Sequence, residues 1–403
     1  MRFVLGKQDM TGFERAQERC WLLANGLGGS MSGSAAFSVT RCDQSLLMAA
    51  AAAPNKRVNL VQRLSEALTV GEKRVFLSSQ GFADQEPEDG YKYLSSFIWD
   101  NGPAWMYHFS GVQVRRECGM AYGKNASAVV YTVESRAPFA CTLQVRPFCL
   151  FAPKGEAVLT KNPPVWSGGV LASNGYRLYI HTDGTLTHVP PEWERPVYPD
   201  DTKDGRTAES LAVSCCVIEC TVLPGETATL QIVFSDTATG LSGKSILTEQ
   251  RRRYQELEER SGFRDPAARQ LAVSADAFIA RRDSTNGKTI LAGYPFFGDW
   301  GRDTMIALPG CLLATGRFEE AKSVLTTFLE YEKEGLMPNL FPEGQEAPRY
   351  NTADAALLFI NCVWLYYQKT LDIAFVKKAW PKLTHIADCN LRGNSNAIKT
   401  DHA

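Results

Sequence analysis

Between positions 293 and 304 the chain reads Gly293-Tyr-Pro-Phe-Phe-Gly-Asp-Trp-Gly-Arg-Asp-Thr304, which gathers two carboxylates, one guanidinium and four aromatic rings just ahead of an apolar helical run. Aromatic faces pack on the apolar faces of a pyranose. Carboxylates and guanidinium groups hold its hydroxyls through directional, partly charge-assisted hydrogen bonds. The composition therefore suits a sugar pocket. A purely structural role competes with it: Asp303 as the cap of the following helix, and Arg302 as the partner of an acid in a packed core.

A second polar stretch follows. Gly335-Leu-Met-Pro-Asn-Leu-Phe-Pro-Glu-Gly344 and Arg349-Tyr-Asn-Thr-Ala-Asp-Ala355 carry Asn339, Glu343, Tyr350, Asn351 and Asp354 on a path stiffened by proline and glycine. Asp354 sits just inside the start of an apolar helix, where it serves either as a buried acid or, with Asn351 as N-cap, as the far member of a capping box. A helix N-terminus favours the ionised carboxylate, whereas a general acid must keep its proton near neutral pH. Catalysis at Asp354 therefore requires desolvation or a neighbouring carboxylate, such as Asp299 or Asp303, to raise its pKa. Glycoside hydrolysis fits such an arrangement because it characteristically uses two carboxyl groups. No serine or thiol nucleophile constellation competes, and Gly26-Leu-Gly-Gly29 lacks the spacing of a phosphate or dinucleotide loop and reads as a turn.

The elements that must position these residues change character along the chain. Up to about residue 242, short apolar runs alternate with turn chemistry, as in Ala126 to Glu134, Ala140 to Phe148, Tyr176 to His181 and Ala228 to Phe234. Such spacing predicts a β-sandwich of two large antiparallel sheets. Residues 243–265 form a charged helical linker. From 266 the period is helical: one helix marked by Leu271, Val273, Ala277, Phe278 and Ala280, then helices over Thr304 to Thr315, Phe318 to Glu334, Asn351 to Lys369 and Ile373 to Leu391. Alternating long and short connections predict an α/α barrel whose inner helices present their N-termini to a central pocket. About five helices are visible, where a closed barrel of six hairpins needs twelve, so the barrel is expected to be incomplete.

Composition narrows the partners. With 403 residues, 44% of them hydrophobic, the chain can bury a large core in two or more domains. A formal charge of -1 from 43 basic and 44 acidic residues gives no electrostatic footprint for nucleic acid or an anionic membrane. Eleven cysteines without paired spacing read as reduced thiols, five scattered histidines argue against a metal, and no segment reads as a signal or membrane span. These features predict a cytoplasmic protein needing no cofactor.

On these residues the chain resembles the glycogen debranching enzymes of the amylo-α-1,6-glucosidase type, in the bacterial and archaeal form without a glucanotransferase half. The resemblance rests on the two stretches above, on Ala307-Leu-Pro-Gly310 and Thr315-Gly-Arg317, and on Trp21-Leu-Leu-Ala-Asn-Gly-Leu-Gly-Gly29 and Thr40-Arg41 near the N-terminus. It implies an N-terminal β-sandwich of the supersandwich type and a C-terminal (α/α)6 barrel. The implied reaction is hydrolysis, with inversion, of α-1,6-linked glucose at branch points of glycogen or limit dextrin. It further implies Asp354 as general acid, Asp299, Arg302 and Asp303 lining the subsite for the released glucose, and Tyr294, Trp300 and Tyr350 as stacking or shaping residues. Asn339 and Asn351 join them as substrate-binding residues. The family's general base is a glutamate later in the barrel, so the chain is expected to carry the acid without its base. One departure stands out: Thr40-Arg-Cys-Asp-Gln-Ser-Leu-Leu47 replaces the Thr-Arg-Arg-Tyr-His-Gly-Leu-Leu of many relatives. Two readings compete, a related α-glucosidase or glycoside phosphorylase of the same architecture, and a non-catalytic glucan-binding protein.

Overall fold

The computed structural model describes residues 2–341 and 347–393. The chain divides into two compact units. Of the described residues, the first comprises those up to Asn25, Gly29–Ala51 and Arg57–Tyr254, and the second Gly26–Gly28, Ala52–Lys56 and those from Gln255 onward.

The first unit is a sandwich of a nine-stranded and an eight-stranded antiparallel sheet. Leu94–Trp99, Pro103–Phe109, Val112–Met120 and Ala126–Ser135 run as a meander through the larger sheet, and Thr227–Ser235 pairs with the last of them. Cys141–Pro153 lies at the middle of the smaller sheet between Lys56–Val70 and Ala212–Val222. Period-two alternation sends Val129, Tyr131 and Val133 of one sheet and Leu143, Val145 and Ile218 of the other into a shared core. Two short helices, α1 (Phe13–Gln17) and α2 (Pro199–Lys203), lie outside the sheets.

Helix α3 (Gly243–Ser261) is more than a solvated linker. Its Ile246 is buried with Ala126, Ala128 and Val233, and Gln250 accepts from the Met120 backbone N–H at 3.0 Å. The charges that made it read as a linker cover only its outer side.

The second unit begins with α4 (Pro266–Asp276), capped by the Asp265 side chain. The helical period expected to reach Ala280 stops four residues short of it. Ile279–Arg282 and Gly287–Ile290 instead form a β-hairpin that buries Ile279, Ala280 and Ile290, and Leu271 stays in solvent. Local apolar spacing cannot tell a helical face from a buried strand when the run is this short.

Four helices follow: α5 (Gly301–Leu308), α6 (Phe318–Glu330), α7 (Asp354–Thr370) and α8 (Ile373–Arg392). Helix α7 packs on α5, α6 and α8, and Met305, Leu308, Val324, Phe328, Phe359 and Leu383 are among the residues of their common core. Pro309, which has no N–H, leaves the Met305 carbonyl without its helical donor, and the chain passes into a π-turn over Pro309–Leu313. The Cys362 thiol of α7 donates to that carbonyl at 3.1 Å, joining the two helices at the break.

Candidate active site

The N-termini of α5 and α7 meet at a cluster of polar side chains. Helix α5 starts at Gly301, three residues earlier than its apolar run suggests, because the loop after α6 docks on it. The Gly301 N–H donates to the Asn339 carbonyl at 2.8 Å, and a Cβ at Gly301 would lie 1.8 Å from the Pro338 carbonyl oxygen. Only glycine permits that approach. Arg302 and Asp303 therefore stand in the first helical turn, both exposed. The helix takes no side-chain cap, so Asp303 is not its N-cap.

Across from them, α7 starts at Asp354. Its N-cap is Ala353, again without a side-chain bond, and the capping box, one of the two roles the sequence left open for Asp354, is not formed. Asn351 instead accepts from Asn339 Nδ2 at 3.1 Å, and the Arg302 backbone N–H reaches Asn339 Oδ1 at 3.5 Å. The Asp354 carboxylate receives Arg302 Nε on one oxygen at 2.6 Å and the Thr352 hydroxyl on the other at 2.6 Å. Arg302, Asn339, Asn351, Thr352 and Asp354 thus form one connected network built from two helix starts and the loop between α6 and α7.

The electrostatics are those of a carboxylate rather than a proton donor. The Arg302 guanidinium, assisted by the Thr352 hydroxyl, holds the Asp354 carboxyl below its ordinary pKa, and Asp354 in turn raises that of Arg302. With side chains 54% and 47% exposed, Arg302 and Asp354 remain open to an incoming ligand.

Asp299 stands elsewhere. Its carboxylate is fully buried, forms an ion pair with Arg282, and accepts from Thr289 Oγ1 at 2.9 Å and from Asn55 Nδ2 at 2.8 Å. The Arg282 guanidinium also lies 4.2 Å over the Phe341 ring. Among the described residues no hydrogen bond links Asp299 to the Arg302 and Asp354 network. Asp299 ties the hairpin, the motif loop and the Ala52–Lys56 segment together within the second unit.

The aromatic residues frame the motif loop. Trp300 and Tyr294 are half-buried, with the Tyr294 ring 6.1 Å from that of Phe278, and Phe297 is exposed. Tyr350 donates to the Tyr331 carbonyl at 2.7 Å, which anchors the loop ahead of α7. Glu343 lies outside the described residues. Sequence reasoning passed over Thr352, Arg282, Thr289 and Asn55. Thr352 was within reach of it, as a hydroxyl two residues ahead of a candidate acid, whereas Asn55 is remote in sequence and carries no local signal.

Residues 19–229 match the family described as the glycogen debranching enzyme N terminal, and residues 273–403 match amylo-alpha-1,6-glucosidase. The first match alone spans more than half of the chain. The chain belongs to the glycogen debranching enzyme family. It is similar to the glycogen debranching enzyme of Saccharomyces cerevisiae, 40% identical over 107 residues, which is 24% of this chain and 7% of the yeast protein. Among solved structures it is similar to a protein named as a kojibiose phosphorylase, from the human microbiome, with a TM-score of 0.51, 13% identity, and coverage of 98% of this chain and 60% of that one. It is likewise similar to a bacterial glucoamylase in complex with acarbose, with a TM-score of 0.51, 11% identity, and coverage of 93% and 56%. The chain thus spans little more than half of these two solved proteins. At these identities the likeness is one of fold: a β-sandwich followed by part of an (α/α)6 barrel. No helix among the described residues is long and apolar enough to cross a membrane, and no three His, Cys, Asp or Glu side chains there are grouped to hold a metal ion.

Proposed function

We propose that the network at the starts of α5 and α7 is the glucose-binding and proton-donating part of an inverting amylo-α-1,6-glucosidase, acting on branch points of glycogen or limit dextrin. The observation that carries this reading is the hydrogen-bonded ion pair of Arg302 and Asp354, exposed at two adjoining helix N-termini in a chain of the debranching family. In the resting site Arg302 keeps Asp354 ionised and aimed. Sugar hydroxyls that compete for the guanidinium, together with the water expelled by a bound ring, release Asp354 to take up a proton. Asp354 then passes it to the glycosidic oxygen as the bond to C1 breaks. Asp303, Asn339 and Asn351 hold hydroxyls, and Trp300, Tyr294 and Tyr350 shape the walls.

Asp299 acts one step removed, by fixing the motif loop from beneath. A second carboxylate, outside the network described, deprotonates the water that attacks the opposite face of the sugar. The same site in a phosphorylase would need cations beside the sugar to hold phosphate, and the two motif stretches offer only Arg302, which pairs with Asp354, and Arg349.

The test is glucose release from a branched limit dextrin by the full-length protein with and without Asp354→Asn, paired with isomaltose binding. Loss of a general acid costs about 10² to 10⁴ in rate with binding retained. Glucose release at the unmodified rate would remove Asp354 from the mechanism.

A further inference from the structure

The sandwich carries a cavity of about 350 Å³ that none of the motifs above touches. It opens beside Thr185–Glu194, the edge strand of the smaller sheet, whose register breaks between His188 and Glu192 around Pro190 and Pro191. Pairing resumes at Glu192, and the next residue, Trp193, packs partly on the sandwich core and gives its remaining surface to the cavity.

The walls are built from backbone rather than from loose loops. The Leu211 N–H donates to the Val158 carbonyl at 2.9 Å, and the Val158 N–H to Ser210 Oγ at 2.9 Å. This holds Leu159 at the rim with 79% of its surface exposed. The Ala83 N–H donates to the Arg195 carbonyl at 2.9 Å and Val197 bridges Glu209, which sets Asp84 and Glu209 on either side of Arg195. Arg195 forms an ion pair with Glu209, and its contact to Asp84, at 3.9 Å, is too long for a hydrogen bond.

The chemistry of this cavity selects its ligand. Lys161 and Arg195 balance Asp84 and Glu209, so the lining carries no net charge to concentrate a phosphate or a cation. An indole beside aliphatic Val158 and Leu159 suits the C–H face of a sugar ring, and the charged groups suit its hydroxyls. The volume lies at the lower end for small-ligand sites, room for about one or two sugar rings. We infer that this cavity is an accessory binding site for an α-glucan chain, separate from the Arg302 and Asp354 network. The inference rests on the reading of this protein as glucan-acting. A polymer held there would raise the local concentration of its own branch points.

The experiment compares retardation in glycogen-containing native gels and maltoheptaose titration for Trp193→Ala, Leu159→Asp and Arg302→Ala proteins. Leu159 is almost wholly exposed, so its replacement leaves the fold intact even if Trp193→Ala loosens the core. The expected result is that the Trp193 and Leu159 variants each raise the Kd of one maltoheptaose site by about tenfold and lose retardation, while Arg302→Ala keeps that site. Wild-type binding in the Leu159 variant, or loss of all binding in Arg302→Ala alone, overturns the accessory site. Failure of the proposed activity shows separately, as undiminished glucose release by Asp354→Asn.

Discussion

Replacing Asp299 by alanine separates a structural role from a sugar-binding one, because the two predict opposite measurements. The carboxylate is fully buried, forms an ion pair with Arg282 and accepts from Thr289 and Asn55. Removing it leaves a guanidinium with a side chain only 5% exposed and without its counter-ion, together with a hydroxyl and an amide without their acceptor. Breaking one side of a buried pair costs about 3–5 kcal/mol, and the orphaned neutral donors act in the same direction. For a unit of this size, about 2–4 °C per kcal/mol translates that loss into a fall in Tm of roughly 6–20 °C. Scanning calorimetry of the Asp299→Ala protein measures it, and the double variant Arg282→Met with Asp299→Leu should recover part of the loss by removing both charges together. A Tm within about 2 °C of the unmodified protein, together with weakened isomaltose binding, would refute the structural assignment and return Asp299 to the sugar subsite.

Other expectations follow from the same contacts. Arg302→Ala removes the main cause of the depressed Asp354 pKa, so the carboxyl should titrate closer to the ordinary range, as followed by carboxyl carbon NMR. In the sandwich, burial pushes the Glu194 carboxyl from its ordinary 4.5 up to about 7 despite its pairing with Arg63. A carboxyl whose folded pKa is raised stabilises the fold below pH 4.5, and that contribution, about 3 kcal/mol, is lost as pH rises through about 7. Urea unfolding of Glu194→Gln across this window should therefore show a flatter pH dependence than the unmodified protein. Cys362→Ala removes the thiol donor from the Met305 carbonyl and should cost about 1–3 kcal/mol, measured by the same unfolding, while Cys362→Ser keeps a donor and should recover part of it. Azide with α-glucosyl fluoride at this site should yield β-glucosyl azide, since an anionic nucleophile needs no deprotonation and inversion turns the α-anomer to β; α-glucosyl azide would refute inversion.

The sequence alone determined the elements whose signals are local. The strands at Ala126–Ser135, Tyr176–Thr182 and Thr227–Ser235 lie where period-two runs put them, because each strand shows one face to the core. Helix α8 likewise spans Ile373–Arg392, starting where Asp372 caps it by accepting from the Phe375 N–H. The residue types of the two polar stretches suggested a sugar pocket, and they include Arg302 and Asp354, which the fold brings into contact.

Tertiary structure decided which of those residues meet. Asp299 and Asp303 are four positions apart and alike in chemistry, yet one is sealed beneath the loop and the other is exposed. The difference comes from Arg282, Thr289 and Asn55, the last of them more than 200 positions away, and a spacing rule has no access to such partners. Asn351 looked like a cap in the sequence but bonds Asn339, because the loop after α6 folds back onto the start of α5 and brings a better donor than the helix offers. The pairing of Arg302 with Asp354 depends on α5 and α7 packing with their starts together. That packing is set by a core of apolar side chains spread over four helices, each of which fixes its own period but not its neighbour.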